Sequence, residues 1–515
     1  MVVSLLKLLT TGVQDERIFK GSSFYPFLKV WIRTCRFGMR WERIDFADPL
    51  TFGTTGNAHL STKGHFITRL LFVATMPDIY KQQKRAADIC AAGTTFAGPN
   101  FGWTNSLGHA LIRSISISIS GTVIDTLNGL LFEVLDEYST PIEKETVVNR
   151  LIKRSDNGFT ETTFGHTSGG TVVAVPIPFW FARGDPCCAF PIVAMPYDDI
   201  VVSMSLQPLS SLYFTDSRAT PSQQTGESGS ALWPMSGSSF YCKATAPAGI
   251  EIKELNPLDP TAKYELIPDV NMPTENELQL GEHYFMAEYA YVDSTEANKM
   301  CTSQIDIPIV QHYSMPRYET RGTPKASIPL HIPNPTRDIY WVIQRTDAHL
   351  YNAHFLATRE LGHPDPSNPV PWWPDALGLS ATSPAFLRPA FALSDSEPIK
   401  GMALIYEGSL VRFRTEAPAL YRSIFSSFEQ KKSPWINRYY YNYSFAIHNR
   451  TTPFSHPIGE ANLDRIHNIQ LELEFQPKRG SYNPNDVPKY HVFVFAETYN
   501  ILKIYGGRAT TLFRY

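Results

Sequence analysis

"WTNSLGHALIRSISISISGTVID", Trp103 to Asp125, alternates serine with isoleucine through seven central residues. Successive side chains of a β-strand point to opposite faces, so Ile115, Ile117 and Ile119 share one side and Ser114, Ser116, Ser118 and Ser120 the other. A helix needs apolar residues three and four apart, and a serine hydroxyl competes for the backbone inside one, so the helical reading fails on both counts. The stretch reads as a strand with one wet face, in an antiparallel sheet covered on a single side. Gly121 supplies a turn or bulge at its end.

The same period of two returns far away in "NIQLELEF", where Ile469, Leu471, Leu473 and Phe475 oppose Gln470, Glu472 and Glu474. Between the two lie further strand-like runs rich in β-branched and aromatic residues: "TVVAVPI", "DIVVSMSL", "DIYWVIQR", "YYYNYSFAI" and "KYHVFVFAETY". "MALIYEGSLVRFR" reads as a hairpin with Glu407 and Gly408 at its tip. Thirty-nine prolines and 31 glycines punctuate these runs, which favours short strands joined by long loops and leaves helix a minority. The clearest helical spacing is in "TLNGLLFEVLDEYSTPIEKETVVNRLI", through Leu127, Leu130, Leu131, Val134 and Leu135, with Pro141 separating a second amphipathic piece; the pair is expected to cap the end of a sheet.

At 515 residues the chain is long enough for two large β-rich domains, taking roughly 150 to 250 residues for each. Its 46 basic and 49 acidic residues leave a net charge of −3 with no basic stripe, which argues against direct nucleic-acid binding. Six cysteines, at 35, 90, 187, 188, 242 and 301, show no zinc-type spacing and read as reduced thiols in an intracellular setting, with a disulfide in a secreted chain as the alternative. "MVVSLLKLLTTG" has neither the basic start nor the cleavage site of a signal peptide, and no segment approaches the roughly 18 to 20 apolar residues of a transmembrane helix. From about residue 208 to 281 the composition turns to Ser, Thr, Gly and Pro, as expected of a long surface insertion, and "LGHPDPSNPVPWWPDALG", with Trp372 and Trp373, reads as a second outward loop.

No local motif carries catalysis. "TGESGSA" around Ser228 resembles a serine nucleophile loop but has no histidine, carboxylate or oxyanion donors near it. "FGHTSGG" lacks the Gly-Lys-Ser/Thr ending of a phosphate loop, and His349 and His354 are five apart, which suits ligation from neither a helix nor a strand. Paired glycosidase carboxylates meet only in space and leave no local signature. Asn442 and Asn449 begin the sequons "NYS" and "NRT", candidate glycosylation sites only if the chain enters a glycosylating compartment, and the first falls inside an expected strand. No cofactor or metal is expected.

Taken together, several stretches resemble the double jelly-roll major capsid proteins of nucleocytoplasmic large DNA viruses, nearly end to end. "LLKLLTTGVQDERIFKGSSFYPFLKVWIRTCRFG" is similar to that family's N-terminal segment. The opening stretch matches its first-domain signature at Trp103, Gly108, His109, Gly121 and Asp125, among others. "VPIPFWFARGDPCCAFPIVAMPYDDIVV" matches a more specific block at Pro176, Pro178, Phe179, Trp180, Phe181, Arg183 and Tyr197. "AEYAYVDSTEANKM" resembles the strand closing the first domain. In the second half Gly459, Asn462 and Arg465 fit a Gly-x-x-Asn-Phe-Ser-Arg pattern, with Leu463 and Asp464 in place of Phe-Ser, and Tyr499 and Asn500 fit the closing segment.

The resemblance implies an all-β chain of two consecutive eight-stranded antiparallel jelly-roll sandwiches with minor helices and long loops. It implies an N-terminal arm over 1–44, a first jelly roll over 45–297 carrying the 208–281 insertion, and a second over 298–515. It implies a structural protein without catalysis: homotrimers forming pseudo-hexagonal capsomers, packed against neighbouring capsomers and minor capsid and penton proteins, in the outer icosahedral shell of a virion assembled in the host cytoplasm. The arm, with Leu5, Leu6, Leu8 and Leu9, is placed at the inner base of the capsomer, towards an internal membrane. The serine face of the opening strand would then lie against solvent, a covering helix or a neighbouring barrel. Lectins, cupins and other carbohydrate-binding or carbohydrate-cleaving proteins share the architecture, so such a protein, or a transient non-virion scaffold of the same fold, is the alternative.

Overall fold

The computed structural model describes residues 36–60, 63–77, 100–154, 171–183, 188–216, 239–243, 253–254, 263–271, 278–346, 354–355, 357, 397–434, 438–447, 459–477 and 483–513. Eight strands build the first sandwich: β1 (Phe37–Ile44), β2 (Thr55–His59), β3 (Phe66–Met76), β4 (Ile112–Ile119), β5 (Thr122–Leu127), β6 (Thr171–Pro176), β7 (Ile200–Leu206) and β8 (His283–Val292). Eight more build the second: β9 (Ile305–Ser314), β10 (Lys325–Leu330), β11 (Pro335–Arg345), β12 (Ile399–Tyr406), β13 (Leu410–Thr415), β14 (Tyr440–Ser444), β15 (Ile469–Phe475) and β16 (Tyr490–Tyr505).

The first sandwich pairs a sheet ordered β1-β8-β3-β6 with one ordered β2-β7-β4-β5; the second pairs β9-β16-β11-β14 with β10-β15-β12-β13. Adding eight to every label of the first turns it into the second. All these ladders are antiparallel, and the chain is two jelly rolls in succession, each with two four-stranded sheets at its centre. Phe37–Ile44, inside the span read above as arm, is β1, paired along its whole length with β8.

The alternation behaves as the side-chain geometry requires. Ile115, Ile117 and Ile119 are buried while Ser114, Ser116 and Ser118 are half-buried, and the same holds in β15 for Ile469, Leu471, Leu473 and Phe475 against their polar neighbours. Between β4 and β5 the two-residue loop Ser120–Gly121 has φ of 47° and 80°, the left-handed pair that matches the twist of a tight hairpin. Glu407 and Gly408 form the tip of the β12–β13 hairpin, also with positive φ.

Five helices are described: α1 (Leu107–Leu111), α2 (Gly129–Ser139), α3 (Ile142–Ile152), α4 (Ser294–Thr302) and α5 (Phe425–Glu429), with a π-helical turn leading into α5. Asn128 caps α2 by accepting from the Leu131 amide, and Pro141 ends that run and starts α3. The expectation that this helix pair caps a sheet needs correcting for α2. It is buried nearly all round and wedged between the barrels, where the Tyr138 hydroxyl donates to the Tyr440 carbonyl at 2.9 Å and its ring lies 5.4 Å from that of Tyr340.

That wedge explains the runs in the second half that do not alternate. On β11, Ile339, Trp341 and Ile343 enter the second barrel's own core, while Tyr340 and Val342 join the apolar cluster that continues from the first barrel. A strand buried on both faces has no wet side, so its sequence is continuously apolar. Within the 208–281 span the described parts include a short turn at Leu209–Ser211, a ribbon pairing Tyr213–Asp216 with Asn100–Trp103 and a small sheet of Ser239–Lys243, Lys253–Glu254 and Lys263–Asn271. The segments around Ser228, "FGHTSGG", Trp372–Trp373, Asn449 and residues 1–35 lie outside the described residues.

Candidate functional site in the seam between the barrels

β16 carries Glu497 in the middle of an apolar strand, with His312 of β9 and Asp338 of β11 as its cross-strand neighbours. From the first barrel, Arg183 follows the short turn Trp180–Ala182 and sets Nη1 2.6 Å from Glu497 Oε1. Asp125, inside β5, reaches across: its Oδ1 accepts from the His312 amide and its Oδ2 from His312 Nδ1, each at 2.9 Å. His312 Nε2 stands 3.6 Å from Glu497 Oε1, too long for a hydrogen bond but an ion-pair contact. Burial works against the charge on His312, but Asp125 and Glu497 outweigh it and push its pKa up to about 9. Burial likewise opposes the Glu497 charge, and Arg183, His312 and Arg337 overcome it, holding the carboxyl well below the usual range. Two side-chain amides extend the seam: Gln311 donates to the Ile124 carbonyl, and Asn500 Nδ2 donates to Gln311 Oε1 at 2.7 Å and to the Phe513 carbonyl at 2.9 Å.

A second cluster forms on α2. Glu133 is fully buried; its Oε2 accepts from His109 Nδ1 and from Arg154 Nη2, both at 2.7 Å, and its Oε1 accepts from Ser106 Oγ at 3.1 Å. Arg154 also binds Asp136, and Arg438 of the second barrel lies 3.7 Å from both Glu133 and Glu137. Lys432, also of the second barrel, sits 2.6 Å from Glu145 on α3. Desolvation would raise the Glu133 pKa, but Arg154, His109 and Arg438 hold it far below the ordinary carboxylate value.

Buried charges with this many partners are matched ions, costly to separate once made. A carboxylate held ionised between cations has no proton to give and little tendency to take one, so the arrangement suits fastening two barrels rather than acid–base work. Among the described residues no three or more His, Cys, Asp or Glu gather as a metal site, and no helix is long and apolar enough to cross a membrane. Cys301 is a thiol donating to the Val193 carbonyl.

The residues singled out from the sequence fall into three settings. His109, Asp125, Arg183 and Asn500 lie in the seam, and Tyr499 beside them is half-buried, its hydroxyl pushed up to about 12 by burial. A second group packs the first barrel. Phe179, Trp180 and Phe181 nest with Phe190, Trp103 is buried in the same apolar core cluster, and Pro176 and Pro178 flank the exit of β6. At Gly108 a Cβ would lie 2.8 Å from Val175 Cγ2 and 3.1 Å from the Ile152 Cα, so only glycine lets α1 settle there. The third group is at turns and surface: Gly121 and Gly459 have positive φ, Asn462 pairs with Pro335, Arg465 is exposed, and Tyr197 is 75% exposed with its ring against Gly507. Asn442, offered as a glycosylation site, is corrected: it is buried on β14, its Nδ2 donating to the Ile339 carbonyl, and presents no amide to a transferase. Glu133, Arg154, His312, Arg438 and Glu497 were not singled out; a lone acidic residue in "GLLFEVL" and in "VFVFAETY" is the signal that marks two of them.

Comparison with known proteins agrees with this layout. Residues 26–236 match the family model for the major capsid protein N-terminus, and residues 296–510 match that for the large eukaryotic DNA virus major capsid protein. The chain is 24% identical over 476 residues to the major capsid protein of invertebrate iridescent virus 3, covering 88% of this chain and 85% of that one. It is 20% identical over 473 residues to the major capsid protein of frog virus 3, with the same coverage of 88% and 85%. Among solved structures, it superimposes on the PBCV-1 virus capsid protein with a TM-score of 0.64 at 16% identity, over 95% of this chain and 100% of the other. The Faustovirus major capsid protein superimposes with a TM-score of 0.57 at 12% identity, over 97% and 94%.

Proposed function

The chain belongs to the major capsid proteins of large eukaryotic DNA viruses, and from that membership we propose that three copies assemble into a pseudo-hexagonal capsomer that tiles the outer icosahedral shell. The observation that carries the reading is the duplication of strand order. Two barrels with the same topology, fastened side by side by buried ion pairs, give one chain two similar lateral edges, and three chains around an axis give six. Large apolar side chains exposed on the single chain, Phe37 at 67% and Phe428 at 69% among them, are the kind of surface that association covers. On this reading the domains are an N-terminal arm and two successive jelly rolls, the role is structural and not enzymatic, and the family-motif residues act by packing and fastening. Neighbouring capsomers, minor capsid proteins and penton proteins are the partners, the arm faces the inner membrane side, and assembly takes place in the host cytoplasm. Light scattering coupled to size exclusion tests the assembly: a stable species near three times 58.0 kDa is expected, whereas a chain that stays monomeric through concentration and after co-expression with the other capsid components would refute it.

A further inference from the structure

A cavity of about 270 Å³ opens where the two barrels meet, sharing with the ion-pair seam only the wall residue His109, which is already bound to Glu133. Its floor is aromatic, from Phe355, Phe493 and Phe495, and its walls carry the side-chain amides of Asn128 and Gln207. At the rim stands Arg113, the single cation interrupting the serine–isoleucine strand. The β4–β7 register shifts at that point: Ile112 faces Leu206 and Ser114 faces Ser205, leaving Arg113 as the extra residue of a bulge. A bulge re-aims the side chain it carries. Arg113 is exposed and, among the described residues, its side chain has neither a hydrogen bond nor an ion pair, whereas Arg154 and Arg183 of the seam are bound to carboxylates. The described lining holds no Asp or Glu. His354, also in the wall, donates to the Ser211 carbonyl, and burial holds it towards its neutral form, while His109 is committed to Glu133, so the Arg113 guanidinium is the charge the described lining leaves for an occupant.

We propose that this inter-barrel cavity binds a small organic anion with a flat aromatic body, its ring against Phe355, Phe493 and Phe495 and its carboxylate or sulfonate on Arg113. The volume sits just under the roughly 300–1,000 Å³ of ordinary small-molecule sites, which limits the occupant to one or two fused rings. Aromatic walls supply stacking, and the unpaired guanidinium presents a planar fork suited to a carboxylate.

The test is calorimetric titration of the purified full-length chain with 2-naphthoate. One saturable site per chain is expected, with affinity falling about tenfold or more in Arg113→Ala and for the neutral analogue 2-naphthalenemethanol. Filling the wall with Leu130→Trp is expected to abolish binding, thermal melting of both variants serving to show that they fold. Absence of saturable binding to the wild-type chain overturns the proposal. So does equal affinity for the neutral analogue, or an Arg113→Ala chain that binds as well as the original.

Discussion

Glu497 shows how much one side chain can decide. It lies between His312 and Asp338 on neighbouring strands and takes its counter-ion, Arg183, from the other barrel. Arg183→Ala leaves that buried carboxylate short of its nearest cation, and a loss of about 3–5 kcal/mol is expected, read as a lower denaturation midpoint. His312 makes the fastening pH-dependent. Its folded pKa of about 9 lies above the ordinary 6.5, so its contribution is complete below pH 6.5 and is lost as pH rises through about 9, on the order of 3 kcal/mol in all. Glu133 and Glu497 are shifted the other way, so theirs is present above pH 4.5 and declines on acidification below it. Melting temperature measured against pH should therefore fall between pH 6.5 and 9, and His312→Gln, though less stable throughout, should flatten that limb; an unchanged slope would mean that His312 is not the titrating group. The sequence displayed His109, Asp125 and Arg183 only as family positions, because the carboxylates and imidazole they bind are 24, 187 and 314 residues away.

At the scale of elements, glycine and turn geometry place the helices and hairpins. At Gly129, the first residue of α2, a Cβ would fall 2.2 Å from the His109 carbonyl oxygen and 2.7 Å from that of Ile112. Both obstacles are backbone, so Gly129→Ala must push α2 out of the seam, with an expected cost at or above the roughly 1–3 kcal/mol of ordinary overpacking. Denaturant titration should show it, and a variant as stable as the parent would mean that α2 shifts freely. Glu407 gives the opposite case. Its φ of 52° strains an L-residue at the hairpin tip, so Glu407→Gly should raise the melting midpoint, the relief being about 1 kcal/mol. This hairpin and the Ser120–Gly121 turn were legible in the sequence because turn chemistry is local. The position of α2 was not: its apolar spacing tells that it is buried, while Glu133 and Glu137 on the same helix become intelligible only with Arg154 and Arg438 in place.

The whole molecule is two copies of one topology held side by side, and its outer faces are what remain for assembly. On the β2-β7-β4-β5 sheet, Asn57, Ser203, Ser116 and Thr126 form a cross-strand row of small polar residues, with Ser203 donating to Asn57 at 2.6 Å. If this row meets another copy, Ser116→Lys with Ser118→Lys should leave the melting of the chain nearly unchanged, since both side chains are only half-buried, yet block the trimer. Trimers that form normally would place the interface elsewhere. The isoleucine–serine strand, the "LELEF" strand and the hairpin tips were determined by the sequence alone, because side-chain alternation and positive φ are properties of neighbouring residues. Which strands pair, which sheet is buried on both sides and which carboxylate meets which arginine were decided only by the tertiary structure. Those contacts join residues hundreds of positions apart, and a buried charge reveals its partner only when the fold has brought it there.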